Sequence, residues 1–486
     1  MNSSVRTRFA PSPTGYLHVG GIRTAIFAYL VAKQANGEFI LRIEDTDKSR
    51  EVAGSDQHVM QSLAALGIEY NEGPGKEGKH AHYHQSERVK AGIYRKYAEK
   101  LVAEGRAYAD PYSPEEVQKF REEAQAAKQP FLYRKHRPES PPLWDGSQPL
   151  RFKSVPKEYK WQDVIMGEMS TGPEVIDDFI LIKSDGFPTY NFAHIIDDLE
   201  MEVSHVIRGQ EFLASTPNYL NLYEALQIEP PVLASAPPIM NPEGNKKLSK
   251  RDNAKDVLDY VRDGFLPDAL LNFIVSLGWN DGTEEEVFSR QELIDKFSLE
   301  RVQKSGARFD EKRLLWMNGT YIREKVGTSD LYGYSTGKNF FEINYWPVEA
   351  ATYDEQYKLS VLELVKERLK FFAELPELTS FFFKDLPVNP ELISENKQLK
   401  KLSGQELKQL LSQAADGLQG SDFSVADLTE RLNGLLETTG QKPGVLFSLI
   451  RIATTQAPAS PALAGTLAIL GKERSLNRIN VQLQEL

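Results

Sequence analysis

The fold of this chain is decided by residues 5–47, which read VRTRFAPSPTGYLHVGGIRTAIFAYLVAKQANGEFILRIEDTD. Residues 5–10 predict a strand, and the two prolines and the glycine that follow predict a turn. Apolar residues then recur at helical spacing from 20 to 36, and Gly37 ends the helix. Residues 39–43 predict a second strand. A strand, a glycine-opened helix and a strand together form the first βαβ unit of a doubly wound parallel sheet.

The rest of the chain changes character twice. Between about Gly73 and Pro149 the strand–helix rhythm weakens, and a single helix is predicted at 115–127. Strand-like runs return at 179–182 and 203–207, and helical periodicity dominates from about Asp256. We therefore predict an α/β protein: a doubly wound, Rossmann-type parallel-sheet domain with an α+β insertion, followed by an all-α C-terminal half.

Composition excludes several classes of site. The 486 residues include no cysteine, so disulfides, thiolate nucleophiles and Cys-based zinc sites are excluded. The longest apolar runs are far shorter than the roughly 20 residues of a membrane span, and no signal-peptide pattern opens the chain. We therefore expect a cytoplasmic protein with no membrane partner. The net charge of −11 disfavours nucleic acid, but ten Lys/Arg against five Asp/Glu between 119 and 160 leave that partner open.

Two distant segments suit a nucleoside triphosphate. They are PSPTGYLHVGG at 11–21 and KLSKR at 247–251. Glycines let the backbone approach phosphate oxygens, and a helix N-terminus presents unpaired N–H groups. Lysines can neutralise the charge that develops as pyrophosphate departs. The alternative is that His18 merely caps the helix and that Lys247 and Lys250 are ordinary surface lysines. The two segments together favour the nucleotide.

Two charged residues flank the first turn. Arg8 lies near the end of the first predicted strand, before the turn, and Glu44 follows the second strand. A permanently charged, bidentate guanidinium suits a substrate carboxylate. The alternative is a structural ion pair between Arg8 and Glu44 across adjacent strands, and the residues alone leave both readings open. A third pattern, the alternating histidines at 80, 82 and 84, could share one face of a strand and bind a metal. Its glycine-rich flanks favour a surface loop, so we expect no metal there.

Many separated motifs carry a family resemblance. They are RFAPSPTG at 8–15, HVGG at 18–21, RIEDTD at 42–47, PTYNFA at 188–193, DD at 197–198, VIRG at 206–209, KLSKR at 247–251, LGW at 277–279, FSLERV at 297–302, LLW at 314–316 and LGKERSL at 470–476. In this order they span nearly the whole chain. The chain resembles glutamyl-tRNA synthetases of the bacterial and organellar type, which are class I aminoacyl-tRNA synthetases.

The resemblance implies roles for specific residues. His18, Lys247 and Lys250 would be catalytic. The residues that would bind ATP are Pro11, Thr14, Gly15, His18, Gly20, Lys247, Leu248, Ser249, Lys250 and Arg251. The residues that would bind glutamate are Arg8, Ala10, Ser12, Glu44, Tyr190, His194 and Arg208. Mg²⁺ would be held mainly through ATP, with no protein metal site.

Two residues and the segments at the zinc-knuckle positions depart from the family pattern. His194 stands where relatives carry Val, Ser or Asn, and Gln210 replaces an acidic residue. Many relatives also carry a Cys-rich zinc knuckle in the insertion, where this chain has DPY at 110–112 and YRK at 133–135. Those side chains cannot form a tetrahedral S/N site, so we expect no structural zinc.

The resemblance also implies a domain order. It assigns 1–82 and 192–242 to the two halves of the Rossmann catalytic domain and 83–191 to an inserted domain that binds the tRNA acceptor. It assigns 243–326 to a stem-contact domain with the ATP loop, and 327–486 to a helical anticodon-binding region split near 388.

The implied activity is ATP-dependent ligation of L-glutamate to tRNA(Glu) through glutamyl-adenylate, by a cytoplasmic monomer. Two alternatives stay open: an enzyme that also charges tRNA(Gln), and a catalytically inactive RNA-binding paralogue. A truncated relative that modifies a tRNA base lacks the residues from about 327 onward. Glutaminyl enzymes usually end in β-barrels, whereas this C-terminus is predicted to be helical.

Overall fold

The computed structural model describes residues 4–17, 19–248, 255–457 and 459–486. The chain divides into two compact units. The first unit comprises Met1–Asp259 and Leu270–Asp310, and the second comprises Tyr260–Ala269 and Glu311–Leu486.

All of the described strands lie in the first unit. They are β1 (Arg6–Phe9), β2 (Glu38–Leu41), β3 (Ala107–Ala109), β4 (Leu150–Phe152), β5 (Tyr159–Asp163), β6 (Gly167–Thr171), β7 (Ile180–Ile182), β8 (His205–Gly209), β9 (Val232–Ala236), β10 (Ile239–Met240) and β11 (Ala307–Arg308).

The helices are distributed over both units, and the boundary between the units passes through α8 and α9. They are α1 (Val19–Gln34), α2 (Ser55–Ala65), α3 (Gln85–Lys90), α4 (Ile93–Ala103), α5 (Pro114–Ala126), α6 (Tyr190–Glu200), α7 (Thr216–Leu226), α8 (Val257–Arg262), α9 (Pro267–Ser276), α10 (Arg290–Lys296), α11 (Glu311–Thr320), α12 (Thr328–Ser335), α13 (Glu355–Val365), α14 (Leu375–Phe383), α15 (Glu391–Ser394), α16 (Gly404–Gln419), α17 (Val425–Thr439), α18 (Pro443–Thr455), α19 (Leu463–Leu470) and α20 (Lys472–Glu485).

The main sheet has the strand order β2-β1-β8-β9-β5-β6. Strands β2, β1, β8, β9 and β5 run parallel, and β6 is antiparallel at the edge. All four residues of β1 are buried, as a central strand of a two-sided sheet requires. Helix α1 buries ten of its sixteen residues. The predicted βαβ unit and the α/β class are confirmed.

The insertion is richer in structure than the sequence predicted. Its antiparallel sheet β3-β4-β7 packs against α4 through Tyr94, Ala98 and Leu101. Helices α3 and α4 precede the single helix that we predicted, which is α5. The β5–β6 hairpin adds to the main sheet instead of remaining within the insertion. Its sequence, YKWQD and GEMST, carries too few apolar residues to predict a strand from alternation.

The second unit is helical in its described residues. Its core joins the leucine-rich faces of α16, α17 and α18 to Ile479 of α20.

Across both units, three helices, α5, α10 and α16, begin with the Ser-x-x-Glu capping box, in which serine and glutamate satisfy backbone N–H groups reciprocally. In the described part of the chain, none of the helices has both the length and the apolar character of a membrane span. The helices α11 to α20 of the second unit confirm the predicted all-α C-terminal half.

Candidate active site

A cavity of about 320 Å³ opens at the carboxyl ends of the central parallel strands. Arg8 and Phe9 of β1, Arg208 of β8 and Ala236 of β9 line it, together with the start of α1 at Gly20. Parallel sheets of this type bind ligands at this edge, where the chain order reverses. The largest group of predicted site residues meets here.

The structure brings most of the predicted residues to this cavity and leaves others apart. The lining includes Arg8, Ala10, Ser12, Gly20, Glu44, Tyr190, Arg208, Lys247 and Leu248. Pro11, Thr14, Gly15 and His194 do not line it. His18, Ser249, Lys250 and Arg251 lie outside the described residues.

The three turn residues that do not line the cavity shape the loop beside it. The Pro11 carbonyl accepts a hydrogen bond from the Glu44 backbone N–H at 3.0 Å. The Thr14 N–H donates to the Ser12 carbonyl at 2.8 Å, and Ser55 Oγ donates to the Gly15 carbonyl at 2.7 Å. These bonds tie the turn after β1 to the residues that follow β2.

A buried charge network forms the floor of the site. The Asp198 carboxylate accepts hydrogen bonds from Arg8 Nε at 3.0 Å and Arg42 Nη1 at 2.8 Å. Arg42 Nη2 donates to Glu44 Oε1 at 3.0 Å. Burial disfavours the charged carboxylate of Asp198, but Arg8 and Arg42 outweigh it and hold its pKa at about 2. The alternative of a direct Arg8–Glu44 ion pair is wrong: in the described residues Arg8 pairs with Asp198 and Glu44 with Arg42.

Asp197 extends the network away from the cavity. It accepts hydrogen bonds from Arg88 Nε at 2.6 Å, Gln85 Nε2 at 2.8 Å and the Tyr94 hydroxyl at 2.9 Å. Its partners come from α3 and α4, so α6 is fixed to the insertion as well as to the sheet. These hydrogen bonds hold the buried side chains in one arrangement. Four atoms of the network, Arg42 Nε, Gln85 Oε1, Arg88 Nη2 and Asp198 Oδ2, have no hydrogen-bond partner among the described residues.

Arg208 is the exception among these buried cations. Its side chain donates from Nη2 to Thr216 Oγ1 at 3.0 Å, and its guanidinium lies 5.0 Å from the Tyr219 ring centroid. Among the described residues no carboxylate pairs with it, and its Nε has no acceptor. A buried cation without a counter-ion is costly, so this position is suited to an anionic ligand group.

Tyr190 and His194 stack one turn apart on α6. Their ring centroids are 4.8 Å apart with the planes 18° from parallel, and His194 Nδ1 lies 2.8 Å from the Tyr190 carbonyl oxygen. Burial, reinforced by Arg208, lowers the pKa of His194 to about 3, so the imidazole is neutral at physiological pH. His194 therefore supports the cavity wall from behind Tyr190.

Glu44 is poised to titrate near neutrality. Its side chain is buried, and this burial raises its pKa to about 7 although Arg42 and Arg8 oppose the shift. A carboxylate in this state gains from a nearby cation, because the cation would stabilise the ionised form. Glu44 is thus suited to an ammonium group in the cavity.

The side of the cavity next to the start of α1 is lined by Gly20, Gly21, Lys247 and the stretch from Ala236 to Ile239. Lys247 Nζ lies 3.1 Å from Glu211 Oε1, and both side chains are more than half exposed. An exposed ion pair of this kind is weak, so Lys247 can exchange Glu211 for a ligand anion at little cost. Glu211 follows Gln210, so an acidic side chain remains beside the cavity.

The alternating histidines do not form a metal site in the described structure. His80 lies 3.6 Å from Glu202, His82 lies 3.7 Å from Glu87, and His84 lies 4.0 Å from Asp56. The described residues contain no group of three or more His, Asp or Glu side chains arranged to hold a metal ion.

Sequence reasoning assigned no role to Arg42 or Asp198, which orient the site. One signal was available: α6 reads YNFAHIIDDLE, and the two aspartates directly follow its apolar run. Charged residues placed on a buried face are paired in folded proteins, which predicts cationic partners.

Comparison with known proteins gives the family. Residues 4–316 match the catalytic domain of class I tRNA synthetases (E and Q), and residues 338–483 match an anticodon binding domain. The glutamate–tRNA ligase of Dehalococcoides mccartyi strain BAV1 is 40% identical, over 100% of this chain and 98% of its own length. That of Roseiflexus castenholzii is 39% identical over 99% and 96%.

Solved structures agree with the sequence comparison. The crystal structure of a glutamate tRNA ligase from Elizabethkingia meningosepticum in complex with its amino acid superposes with a TM-score of 0.83 at 32% identity, and all of both chains is covered. The α/β catalytic architecture and the helical C-terminal half agree with these matches. The chain therefore belongs to the glutamate–tRNA ligases, a family of class I tRNA synthetases.

Proposed function

We propose that this protein ligates L-glutamate to tRNA(Glu) in two steps through glutamyl-adenylate, with ATP and Mg²⁺. The observation that carries the proposal is the pair of complementary charges in one cavity: the buried Arg208, which has no carboxylate partner among the described residues, and the buried Glu44. An amino acid with a side-chain carboxylate and an α-ammonium group carries the matching charges.

In this proposal Arg208 and Arg8 bind the side-chain carboxylate, and Glu44 accepts the α-ammonium group. Ala10, Ser12 and Tyr190 line the same pocket. His194 acts through Tyr190, because it stacks on that ring and does not line the cavity. Glutamine would leave the guanidinium of Arg208 poorly paired, so the pocket discriminates by charge.

ATP binds on the side of Gly20 and Lys247. Pro11, Thr14 and Gly15 hold the turn, and His18, Lys247, Leu248, Ser249, Lys250 and Arg251 would contact the nucleotide. Mg²⁺, bound mainly through the phosphates, supplies further neutralisation of their charge. The first step needs no nucleophilic side chain. The α-carboxylate of glutamate attacks the α-phosphate and pyrophosphate leaves. A terminal ribose hydroxyl of tRNA then attacks the acyl carbon of the mixed anhydride, and AMP leaves as the ester forms.

The insertion would hold together without zinc. At the positions of the family's zinc knuckle, the Tyr133 hydroxyl donates to Asp110 Oδ1 at 2.5 Å and Arg151 Nε donates to Asp110 Oδ2 at 2.8 Å. The Arg151 guanidinium also lies 3.3 Å from the Tyr133 ring centroid. This donor set does not fit zinc, so we propose that the hydrogen-bonded cluster takes its structural place.

We propose the domain roles in chain order. Residues 1–82 and 192–242 form the catalytic domain and 83–191 bind the tRNA acceptor end. Residues 243–326 contact the stem, and 327–486 bind the anticodon as two subdomains split near 388. The protein acts as a cytoplasmic monomer.

Glutamate affinity should depend on pH through Glu44. With its pKa at about 7, Glu44 is protonated in the free protein at lower pH, so binding of the ammonium group must then expel a proton. We expect kcat/KM for glutamate to fall by up to about tenfold per pH unit below 7, and to level off above it. The measurement is a steady-state profile from pH 5.5 to 8.5. Glu44→Gln should bind glutamate weakly and lose this dependence, and a flat wild-type profile would contradict the assignment.

The proposed activity is tested by charging. The purified protein is incubated with ATP, Mg²⁺ and radiolabelled glutamate on separate tRNA(Glu) and tRNA(Gln) transcripts. Charging of tRNA(Glu) alone supports the proposal as stated. Charging of both makes the enzyme non-discriminating, and charging of neither by folded protein overturns the proposal in favour of an inactive RNA-binding paralogue.

A further inference from the structure

Arg23 is a buried arginine of α1 that no motif singled out. Its side chain is 3% exposed, and it lines the cavity beside Gly20 and Gly21. Nη1 donates to the Leu277 carbonyl at 2.7 Å and Nη2 donates to the Pro237 carbonyl. The guanidinium also lies 5.6 Å from the Phe27 ring centroid. One side chain thus joins α1 to two segments more than 200 residues away.

This cation has no carboxylate partner among the described residues, and its Nε has no acceptor. Burial lowers its pKa to about 10, which still leaves it charged at physiological pH. Leu277 directly follows the last residue of α9, and carbonyls at a helix C-terminus carry partial negative charge. The two carbonyls therefore provide the stabilisation that a counter-ion would otherwise give.

Pro237 and the neighbouring Pro238 cannot hold their segment in place through backbone N–H hydrogen bonds. Pro237 and Pro238 have no amide hydrogen to donate, so their carbonyls are the available backbone groups. This segment lines the cavity and leads directly into β10. In β10 the Ile239 carbonyl accepts the Leu248 N–H at 2.8 Å, and Met240 forms a bridge with Lys247. The position of Pro237 therefore contributes, together with the pairing of β10 with β11, to the position of Lys247.

We propose that Arg23 is a positioning residue for the nucleotide: it clamps Pro237 to α1 and thereby helps to fix the Ala236–Ile239 wall and β10, with which Lys247 forms a bridge. The inference rests on the proposed function, in which this side of the cavity binds ATP. The glutamate side, formed by Arg8, Glu44 and Arg208, depends on Asp198 and Thr216 instead and should be unaffected.

The test is Arg23→Met, which keeps the length of the side chain and removes all donors. Kinetics of ATP–pyrophosphate exchange are measured with tRNA(Glu) present, and ATP binding is measured separately by calorimetry. We expect KM and Kd for ATP to rise by about 10- to 100-fold, as for the loss of hydrogen bonds to a charged group, with KM for glutamate unchanged. Arg23→Lys keeps the charge and can reach one carbonyl, so it should be intermediate. If Arg23→Met does not fold, the KM and Kd of Arg23→Lys for ATP test the proposal instead.

The matched control is Arg290→Met. Arg290 also donates to two backbone carbonyls, those of Gly67 at 3.1 Å and Leu66 at 2.7 Å, and it does not line the cavity. ATP parameters of folded Arg23 variants equal to those of Arg290→Met would overturn the inference, as would an equal rise in KM for both substrates. Wild-type protein that binds ATP without charging tRNA would contradict the proposed function alone, because calorimetry still reports on Arg23. Wild-type protein that binds no ATP would overturn both.

Discussion

Replacement of Arg208 by methionine should lower kcat/KM for glutamate by about three orders of magnitude, while KM for ATP stays unchanged. Arg208 is buried, and its described polar contact is the hydrogen bond to Thr216. Its charge is therefore available to a ligand carboxylate, and removing it leaves that carboxylate desolvated without a partner. The measurement is tRNA-dependent ATP–pyrophosphate exchange at varied glutamate, then at varied glutamine.

Two variants separate charge from position at this site. Arg208→Lys retains the charge but loses the planar fork, so it should recover only part of the activity. Thr216→Val keeps Arg208 and removes the hydrogen bond that orients it, with an expected loss of about tenfold. The preference for glutamate over glutamine should fall in Arg208→Met. Activity of that variant close to wild type, or a parallel rise in KM for ATP, would contradict the role of Arg208.

Asp198→Asn should lower the free energy of unfolding of the first unit by about 3–5 kcal/mol. The variant keeps the volume of the side chain but removes the charge that Arg8 and Arg42 share, so the buried Arg8 loses its carboxylate partner and Arg42 retains only Glu44 and Asp197. The corresponding shift in Tm is roughly 5–15 °C, which calorimetry would resolve. Because the folded-state pKa of about 2 lies below the ordinary 3.8, this stabilisation is present above pH 4 and is lost as the pH falls through 2.

The control for this prediction is Asp385→Asn in the second unit. Asp385 also binds two arginines, Arg474 Nε at 3.2 Å and Arg478 Nε at 2.8 Å, but its side chain is 66% exposed. Solvent screens this cluster, so the expected loss is only about 0–1 kcal/mol. If the two variants lose equal stability, burial does not govern the energetics of the Asp198 network. Asp198→Asn should also weaken glutamate binding, because Arg8 and Glu44 lose their fixed orientation.

The sequence predicted the local elements well where each is coded by neighbouring residues. Residues 5–47 specified a strand, a turn, a helix and a strand through apolar spacing and through breakers at Pro11, Pro13 and Gly37, and the structure has these elements. Helix α5 was predicted within one residue of its observed ends, because Ser113 and Glu116 form a capping box at its start. The β5–β6 hairpin was not predicted. Its polar sequence gives no strand pattern, and its place at the sheet edge depends on pairing with β9, which is distant in the chain.

The chemistry of the site divides in the same way. The sequence by itself determined which side chains stand at the ends of β1 and β2 and after the first turn, since chain order fixes them. Only the tertiary structure decided their partners: Arg8 meets Asp198 across 190 residues, and Arg23 meets Pro237 across 214. Such pairings follow from sheet order and helix packing, which bring distant segments together. Burial then raises the pKa of Glu44 to about 7, and the packing around Arg208 places no carboxylate beside it among the described residues.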